Sequence, residues 1–338
     1  MPVSYKYALV LVFAFALMPV IQTTLTLGRP SGEDWNRHSL MIEDYMSGDL
    51  DKIVDRFIGY SPTFHFLMMP FYAITGFDYI QYVQPIFAFL CVLVFLILAE
   101  NFTTRTGVII SGMFLVTSVA FNQFSGALLP QTIDYIVFPM VVGLLLKKRY
   151  TSCAIMTFFA LTMHISGIFF IAPIWIYSLI ADRKYIPYLF VACVVGTIVL
   201  APSMWYALDI VNITNLDGNF NVVDTPIGFM PSTTQAWLTE WDYFFAYPWY
   251  NFLLFGGGLL FVTLPLTIYS MKKYPHYNKY HLLLALWFLG TLPLIRFNWW
   301  RWWSFAVLPA SLFCGDMIAN YIQNSSDSGI LIEETQNS

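Results

Sequence analysis

Long runs of apolar residues alternate with short polar segments along almost the whole chain. Many of these runs approach the roughly 18 residues with which an α-helix crosses about 30 Å of hydrocarbon. The pattern predicts ten membrane-spanning helices, at 7–27, 79–99, 107–122, 133–147, 151–164, 165–181, 186–207, 251–270, 281–296 and 302–322. We therefore expect an all-α polytopic membrane protein with a transmembrane domain at 1–322 and a disordered cytoplasmic tail at 323–338.

The first predicted outer loop, 28–78, has an internal pattern of its own. Segments 39–46 and 49–58 place apolar residues at helical spacing between charged ones, which predicts two short amphipathic helices on the membrane surface. Segment 62–77 is apolar but short and contains Pro62, Pro70 and Gly76. We expect it to be re-entrant or interfacial; the alternative is a true span.

The positions of the basic residues give the orientation, because cytoplasmic loops are enriched in Lys and Arg. With 62–77 on the outer side, ten of the sixteen basic residues fall in the cytoplasm: Lys6, Arg105, Lys147, Lys148, Arg149, Arg183, Lys184, Lys272, Lys273 and Lys279. Both termini are then cytoplasmic, and 28–61 and 208–250 are acidic outer loops. Such a topology suits the plasma membrane of a prokaryote or the membrane of the endoplasmic reticulum.

The composition agrees with a membrane protein, since only 11% of the residues are charged, against about 25% in soluble domains. The four cysteines, Cys91, Cys153, Cys193 and Cys314, all lie in apolar runs. They form neither a disulfide framework nor a metal-binding spacing. Membrane lipids are expected partners, and nucleic acid is not.

An acidic pair, Glu33 and Asp34, follows the predicted outer end of the first helix and lies close to Trp35 and His38 in sequence. A carboxylate that is partly removed from water at the bilayer surface is a candidate general base. The alternative is a solvated acidic loop.

An arginine and tryptophan segment, RFNWWRWW at 296–303, lies at the outer end of a late helix. A guanidinium binds phosphate oxygens with two parallel hydrogen bonds, and a tryptophan such as Trp300 can stack on it. Arg296 and Arg301 are therefore candidate ligands of a lipid phosphate. An aromatic belt with arginines that reach the interface is the alternative.

Two further polar residues belong to the predicted outer face. Asp134 follows the outer segment LLPQTI, at 128–133, and could cap the helix that begins there. His164 lies between two apolar segments, where a single histidine is either a packed polar residue or a ligand.

The order of these features resembles the GT-C superfamily of membrane glycosyltransferases. In that family an acidic residue or pair follows the first helix, as Glu33 and Asp34 do, and the outer loop ends in a segment similar to YSPTFH at 60–65, which contains His65. The family's acid in the second outer loop is missing after Pro130 unless Asp134 replaces it. A His-small pair similar to the segment at His164 and an arginine-aromatic motif similar to 296–303 complete the resemblance.

The resemblance implies a polyprenyl- or dolichyl-phosphate-linked sugar as donor and a glycan, lipid or protein as acceptor. A carboxylate, Asp34 or Glu33, would activate the acceptor, and Arg296 or Arg301 would bind the departing phosphate. The resemblance implies no organic cofactor, and the missing acid makes a divalent metal less expected. The alternatives are a flippase or transporter for lipid-linked glycans and an inactive assembly subunit of GT-C type.

Overall fold

The computed structural model describes residues 3–27, 34–59, 62–118, 121, 128–163, 166–217, 278–291 and 299–336. Within these ranges, the structure describes the backbone alone at 3, 23, 26–27, 34–37, 55–59, 78, 166, 168–169, 203–217, 278–279, 299–304 and 325–336. The described residues form helices and short turns, and they contain no strand.

Twelve α-helices are described. They are α1 Val3–Leu27, α2 Asp34–Met46, α3 Leu50–Gly59, α4 Thr63–Tyr79, α5 Gln84–Ala99, α6 Arg105–Val116, α7 Pro130–Leu146, α8 Tyr150–Met163, α9 Ser166–Ala181, α10 Ile186–Asp217, α11 Asn278–Thr291 and α12 Trp299–Gln336. Two 3₁₀ turns, Ile80–Val83 and Arg183–Tyr185, lead into α5 and α10.

Nine of the ten predicted spans coincide with a described helix, and the tenth, 251–270, lies outside the described residues. Among the described residues, four stretches are long and apolar enough to cross a membrane: Ser4–Gln22, Ile80–Ala99, Arg183–Pro202 and Phe305–Asn324. Because a helix satisfies all its backbone groups internally, long apolar helices of this kind indicate an integral membrane protein. The last helix continues to Gln336 and so includes most of the tail for which we expected disorder.

The first predicted outer loop contains the two expected short helices. α2 begins at Asp34, five positions before the predicted start. An acidic residue at that position stabilises the helix, because its negative charge lies at the positive end of the helix dipole. Ile42 and Tyr45 are buried as the amphipathic pattern predicts, but Leu40 is 55% exposed. On α3, Leu50 and Val54 are also exposed.

The segment that follows, α4, is interrupted near its end. Gly76 has φ 65° and ψ −175°, so the regular part of the helix covers about 13 residues, from Thr63 to Thr75. That part is about 20 Å long, which is less than the hydrocarbon core. The expectation that 62–77 does not span stays a prediction.

Most of the basic loops meet at one end of the bundle. The Arg105 guanidinium lies 5.7 Å from the ring centre of Tyr5, and Phe102 packs on Tyr280 at 6.0 Å. The Tyr150 hydroxyl donates to both carboxylate oxygens of Asp182 at 3.0 Å, which joins the loops at 147–149 and 182–184.

The Tyr177 hydroxyl lies close enough to Asp182, Tyr280 and Tyr150 to interact with them electrostatically, so these four residues belong to the same end of the bundle. Eight of the ten predicted cytoplasmic cations are in these loops and helix ends, and Lys272 and Lys273 lie outside the described residues. We call this end of the bundle the basic end.

Candidate functional site

Helix α2 presents one buried face to the rest of the protein. His38, Met41, Ile42 and Tyr45 recur at helical spacing and are each less than 7% exposed. This face packs on α4, whose residues Phe64, His65 and Met68 are also buried. The apolar periodicity that predicts α2 is therefore used for a helix–helix contact.

Two histidines meet at the centre of this contact. His38 Nδ1 lies 3.0 Å from His65 Nε2, and the two side chains are 3% and 0% exposed. One of these two nitrogens carries a hydrogen and donates the hydrogen bond, and the other nitrogen accepts it. The two contacting nitrogens therefore cannot both be protonated. This contact, which we call the histidine clasp, joins two sequence-predicted site residues that are 27 positions apart.

Aromatic rings surround the clasp. Phe64 lies edge-on to His38 at 5.1 Å between ring centres, and Tyr45 lies 5.8 Å from His65. A second hydrogen bond, from the Tyr72 hydroxyl to Glu43 Oε1, joins α2 to α4. The polar and aromatic contacts together hold α2 in one orientation on α4.

The predicted catalytic acid belongs to the helix that the clasp orients. Position 34 is the first residue of α2 and precedes His38 by one turn, so both positions are on the same face of the helix. The other predicted acid, Glu33, lies outside the described residues. The clasp thus lies one helical turn from the start of α2.

Asp134 does not cap its helix, contrary to one of the two interpretations of this residue. α7 begins at Pro130, one turn earlier, because proline suits the first helical position. The Leu129 backbone N–H donates to Thr132 Oγ1 at 3.4 Å and supplies the cap. Asp134 is instead fully buried in the first turns of α7.

The start of α12 lies beside these first turns of α7. Phe305 packs on Tyr135 and Phe138, with ring centres at 6.3 and 5.7 Å. Position 301 is one turn before Phe305 on the same face of α12, so the backbone brings Arg301 to the level at which α7 begins. Trp300 belongs to the same turn, whereas Arg296 and His164 lie outside the described residues.

The helix starts at Asp34, Pro130 and Trp299 belong to the end opposite the basic end. α7 runs from Pro130 to the basic loop at 147–149. Thr24, near the end of α1, donates to Gln84 at the start of α5 at 3.1 Å, so the chain that leads into α2 also leaves at this end.

A further ionisable pair was not foreseen from the sequence. His281 Nε2 of α11 lies 3.1 Å from Asp316 Oδ2 of α12, and each residue is 5% exposed. The signal was Asp316, the one charged residue of the apolar run at 302–322, because a charge inside a membrane helix is costly and marks a partner or a function. Because Tyr280 contacts Phe102, this pair belongs near the basic end.

Metal-binding clusters are absent from the part of the chain that the structure describes: no three His, Cys, Asp or Glu side chains come together there. The four cysteines are free thiols; Cys193 accepts a hydrogen bond from Trp175 Nε1 at 3.3 Å, and the other three are buried.

No family model matches this chain, and no curated protein matches its sequence.

Proposed function

We propose that this protein is a membrane glycosyltransferase of GT-C type that moves a sugar from a polyprenyl-phosphate donor to an acceptor on the outer or lumenal face. Asp34, with Glu33 as the second candidate, takes the proton of an acceptor hydroxyl or amide. The acceptor atom bonds to the anomeric carbon as the bond from that carbon to the phosphate oxygen breaks. The configuration at the anomeric carbon is inverted, and the polyprenyl phosphate leaves with the bonding electrons.

The observation that carries this proposal is the histidine clasp. His65 belongs to the segment of the resemblance at the end of the outer loop, and His38 follows Asp34 of the acidic pair by four positions. A buried contact between them gives the helix that starts at Asp34 a defined orientation. A general base needs such preorganisation, because small displacements of a reacting group lower the rate strongly.

The charge distribution also favours surface chemistry at this end. A leaving phosphate gains negative charge in the transition state, and a fixed guanidinium is the side chain best suited to bind it. Arg301 is in the first turn of α12, the helix that packs on the first turns of α7, and Arg296 precedes Arg301 by five positions. The loops richest in Lys and Arg are at the other end, as expected for a cytoplasmic face.

Asp34→Asn tests the assignment of the base. The purified protein is reconstituted in vesicles with a series of polyprenyl-phosphate sugars and candidate acceptors, and released polyprenyl phosphate is measured. Removal of a general base typically lowers the rate by about 10²–10⁴-fold. Asp51→Asn is the matched control, because Asp51 is an exposed carboxylate on the neighbouring helix α3.

Wild-type turnover by Asp34→Asn would end the assignment of Asp34 as the base. If the wild-type protein releases no polyprenyl phosphate from any donor in the series while it stays folded, the transferase proposal fails for those donors. Glu33→Gln, assayed in parallel, separates the two acidic candidates.

Transport is the second candidate function, and the His281–Asp316 pair favours it. Ionisable pairs buried between membrane helices recur in proton relays and substrate pathways. If this pair couples transport to protons, a pH gradient should drive movement of a lipid-linked glycan across the vesicle membrane. Asp316→Asn should abolish this movement and leave the protein folded. A transferase requires no such gradient, so retention of sugar transfer in Asp316→Asn would favour the first proposal.

A further inference from the structure

An apolar groove runs between α8 and α10 near the basic end. It has a volume of about 490 Å³ and is lined by apolar side chains, among them Ala154, Ile155 and Phe158 of α8 and Val191 and Val195 of α10. The exposed fractions of Ile155, Val191 and Val195 are 44% to 60%. The groove is therefore open towards the surroundings of the helix bundle.

The length of the groove suits one leaflet of a bilayer. From Thr151 to Phe158 the rise of α8 is about 10 Å, and the hydrocarbon of one leaflet is about 15 Å thick. At the end of the groove, Tyr188 lies 5.7 Å from Tyr150, between ring centres. Paired tyrosines are typical of the boundary between hydrocarbon and headgroups.

Two cationic loops lie at that same end. Lys147, Lys148 and Arg149 end two positions before Thr151, and Arg183 and Lys184 end three positions before Pro187. All five cationic side chains are exposed. From 135 to 208 the sequence has these five cations and one acid, Asp182.

Hydrogen bonds hold the two loops in one arrangement. Both carboxylate oxygens of Asp182 accept from the Tyr150 hydroxyl at 3.0 Å, which joins the loops across the mouth of the groove. Arg183 Nε donates to the Leu179 carbonyl at 3.3 Å. Lys148 has φ 54°, a left-handed conformation in the turn between α7 and α8.

We propose that this groove and its cationic mouth form a binding site for a two-chain anionic phospholipid of the cytoplasmic leaflet. An acyl chain lies in the apolar groove, and the phosphate of the headgroup lies between the loops at 147–149 and 183–184. Basic pockets between membrane helices at the cytoplasmic side recognise anionic headgroups in this way. The site is at the opposite end from the proposed transferase site and does not depend on it.

Lipid titration of the purified full-length protein, followed by native mass spectrometry, tests the site. The delipidated protein is titrated with phosphatidylglycerol and with phosphatidylcholine of the same acyl chains, and with glycerophosphate as a headgroup without chains. Each cation near a headgroup contributes about a fivefold gain in affinity. We expect phosphatidylglycerol to bind at least about tenfold more tightly than phosphatidylcholine, and glycerophosphate to bind far more weakly than either.

Two kinds of variant separate the headgroup from the chain. Lys148→Asn with Lys184→Gln should remove most of the preference for phosphatidylglycerol, and asparagine keeps the left-handed turn at 148. Ala154→Trp fills the groove and should weaken both lipids, with Val195→Trp as a second variant should the first not fold. Ile97→Trp, on an exposed apolar position of α5, and Lys52→Gln, on α3, are the matched controls.

Equal affinity of the wild-type protein for the two lipids would overturn the proposal. A preference for phosphatidylglycerol that survives in the double lysine variant would also overturn it. Binding of glycerophosphate as tight as that of the whole lipid would indicate a site for a free phosphate.

Discussion

Gly315 of α12 lies directly against Ser111 of α6, so that a side chain at position 315 would overlap with the serine hydroxyl. The Gly107 carbonyl oxygen would be 2.5 Å from a Cβ at the same position. Small residues at these three positions let the two helices approach closely. Close approach matters within a membrane, where dispersion contacts and hydrogen bonds stabilise helix pairs in the absence of a hydrophobic driving force.

Gly315→Ala should therefore destabilise the protein. The added methyl group meets backbone as well as side chain, so the helices must move apart, and overpacking of this kind costs about 1–3 kcal/mol. Gly143→Ala is the control, since its Cβ would meet only Leu98 Cδ1, at an ordinary 3.6 Å. Thermal unfolding in detergent should show a lower midpoint for Gly315→Ala alone; equal midpoints would mean that α6 and α12 do not approach so closely.

The histidine clasp should control the order of α2. His38→Ala removes the hydrogen bond to the buried His65 Nε2, which should lower the free energy of unfolding by about 1–3 kcal/mol. His38→Asn keeps a polar amide near the position of Nδ1. We expect faster hydrogen exchange of the α2 amides in His38→Ala, partial recovery in His38→Asn, and little effect from Leu40→Ala, because Leu40 is exposed.

A double-mutant cycle with His65→Gln measures the coupling between the two histidines. Additive effects on exchange would contradict a direct contact. A transferase whose base is positioned by the clasp should also lose turnover in His38→Ala more than it loses affinity for the donor.

Arg296 and Arg301 are predicted to bind the donor phosphate. Lysine keeps the charge but lacks the two parallel N–H groups, so Arg301→Lys should weaken binding of a polyprenyl-phosphate sugar, and Arg296→Lys should do so less. Loss of a hydrogen bond to a charged group is worth about 1.5–3 kcal/mol, or about tenfold to a hundredfold in affinity. Arg105→Lys at the basic end is the control. Unchanged affinity after Arg296→Ala with Arg301→Ala would leave 296–303 as a membrane anchor.

Orientation can be tested with two single cysteines. Asp51→Cys lies before 62–77 and Lys147→Cys after it, and both positions are exposed. An impermeant maleimide added to intact cells should label Asp51→Cys and spare Lys147→Cys, since three predicted spans separate them. Because three of the four native cysteines are buried, the background should be low.

Each other pattern of labelling has a distinct meaning. Labelling of both positions from the same side would mean that 62–77 crosses the bilayer. Labelling of Lys147→Cys alone would mean that the whole orientation is inverted.

The helices of the bundle could be predicted from the sequence, because a chain in hydrocarbon must satisfy its backbone hydrogen bonds within each segment. The run of apolar residues from 79 to 99 is enough to predict a helix there, whatever its neighbours are. The periodicity of α2 likewise predicts that Ile42 and Tyr45 face inward. Helix ends are less certain: α7 begins at Pro130 rather than at 133, and α12 extends into polar sequence.

The pairing of helices was decided only by the tertiary structure. His38 and His65 are 27 positions apart, and His281 and Asp316 are 35 apart. Hydropathy treats each helix separately, whereas a contact between two helices depends on the shapes and rotations of both. Lipid chains are as apolar as leucine, so burial alone does not select which faces meet. Local periodicity therefore determined that α2 exists, and a run of apolar residues determined that α12 exists. Three-dimensional packing determined which polar side chains they bring together.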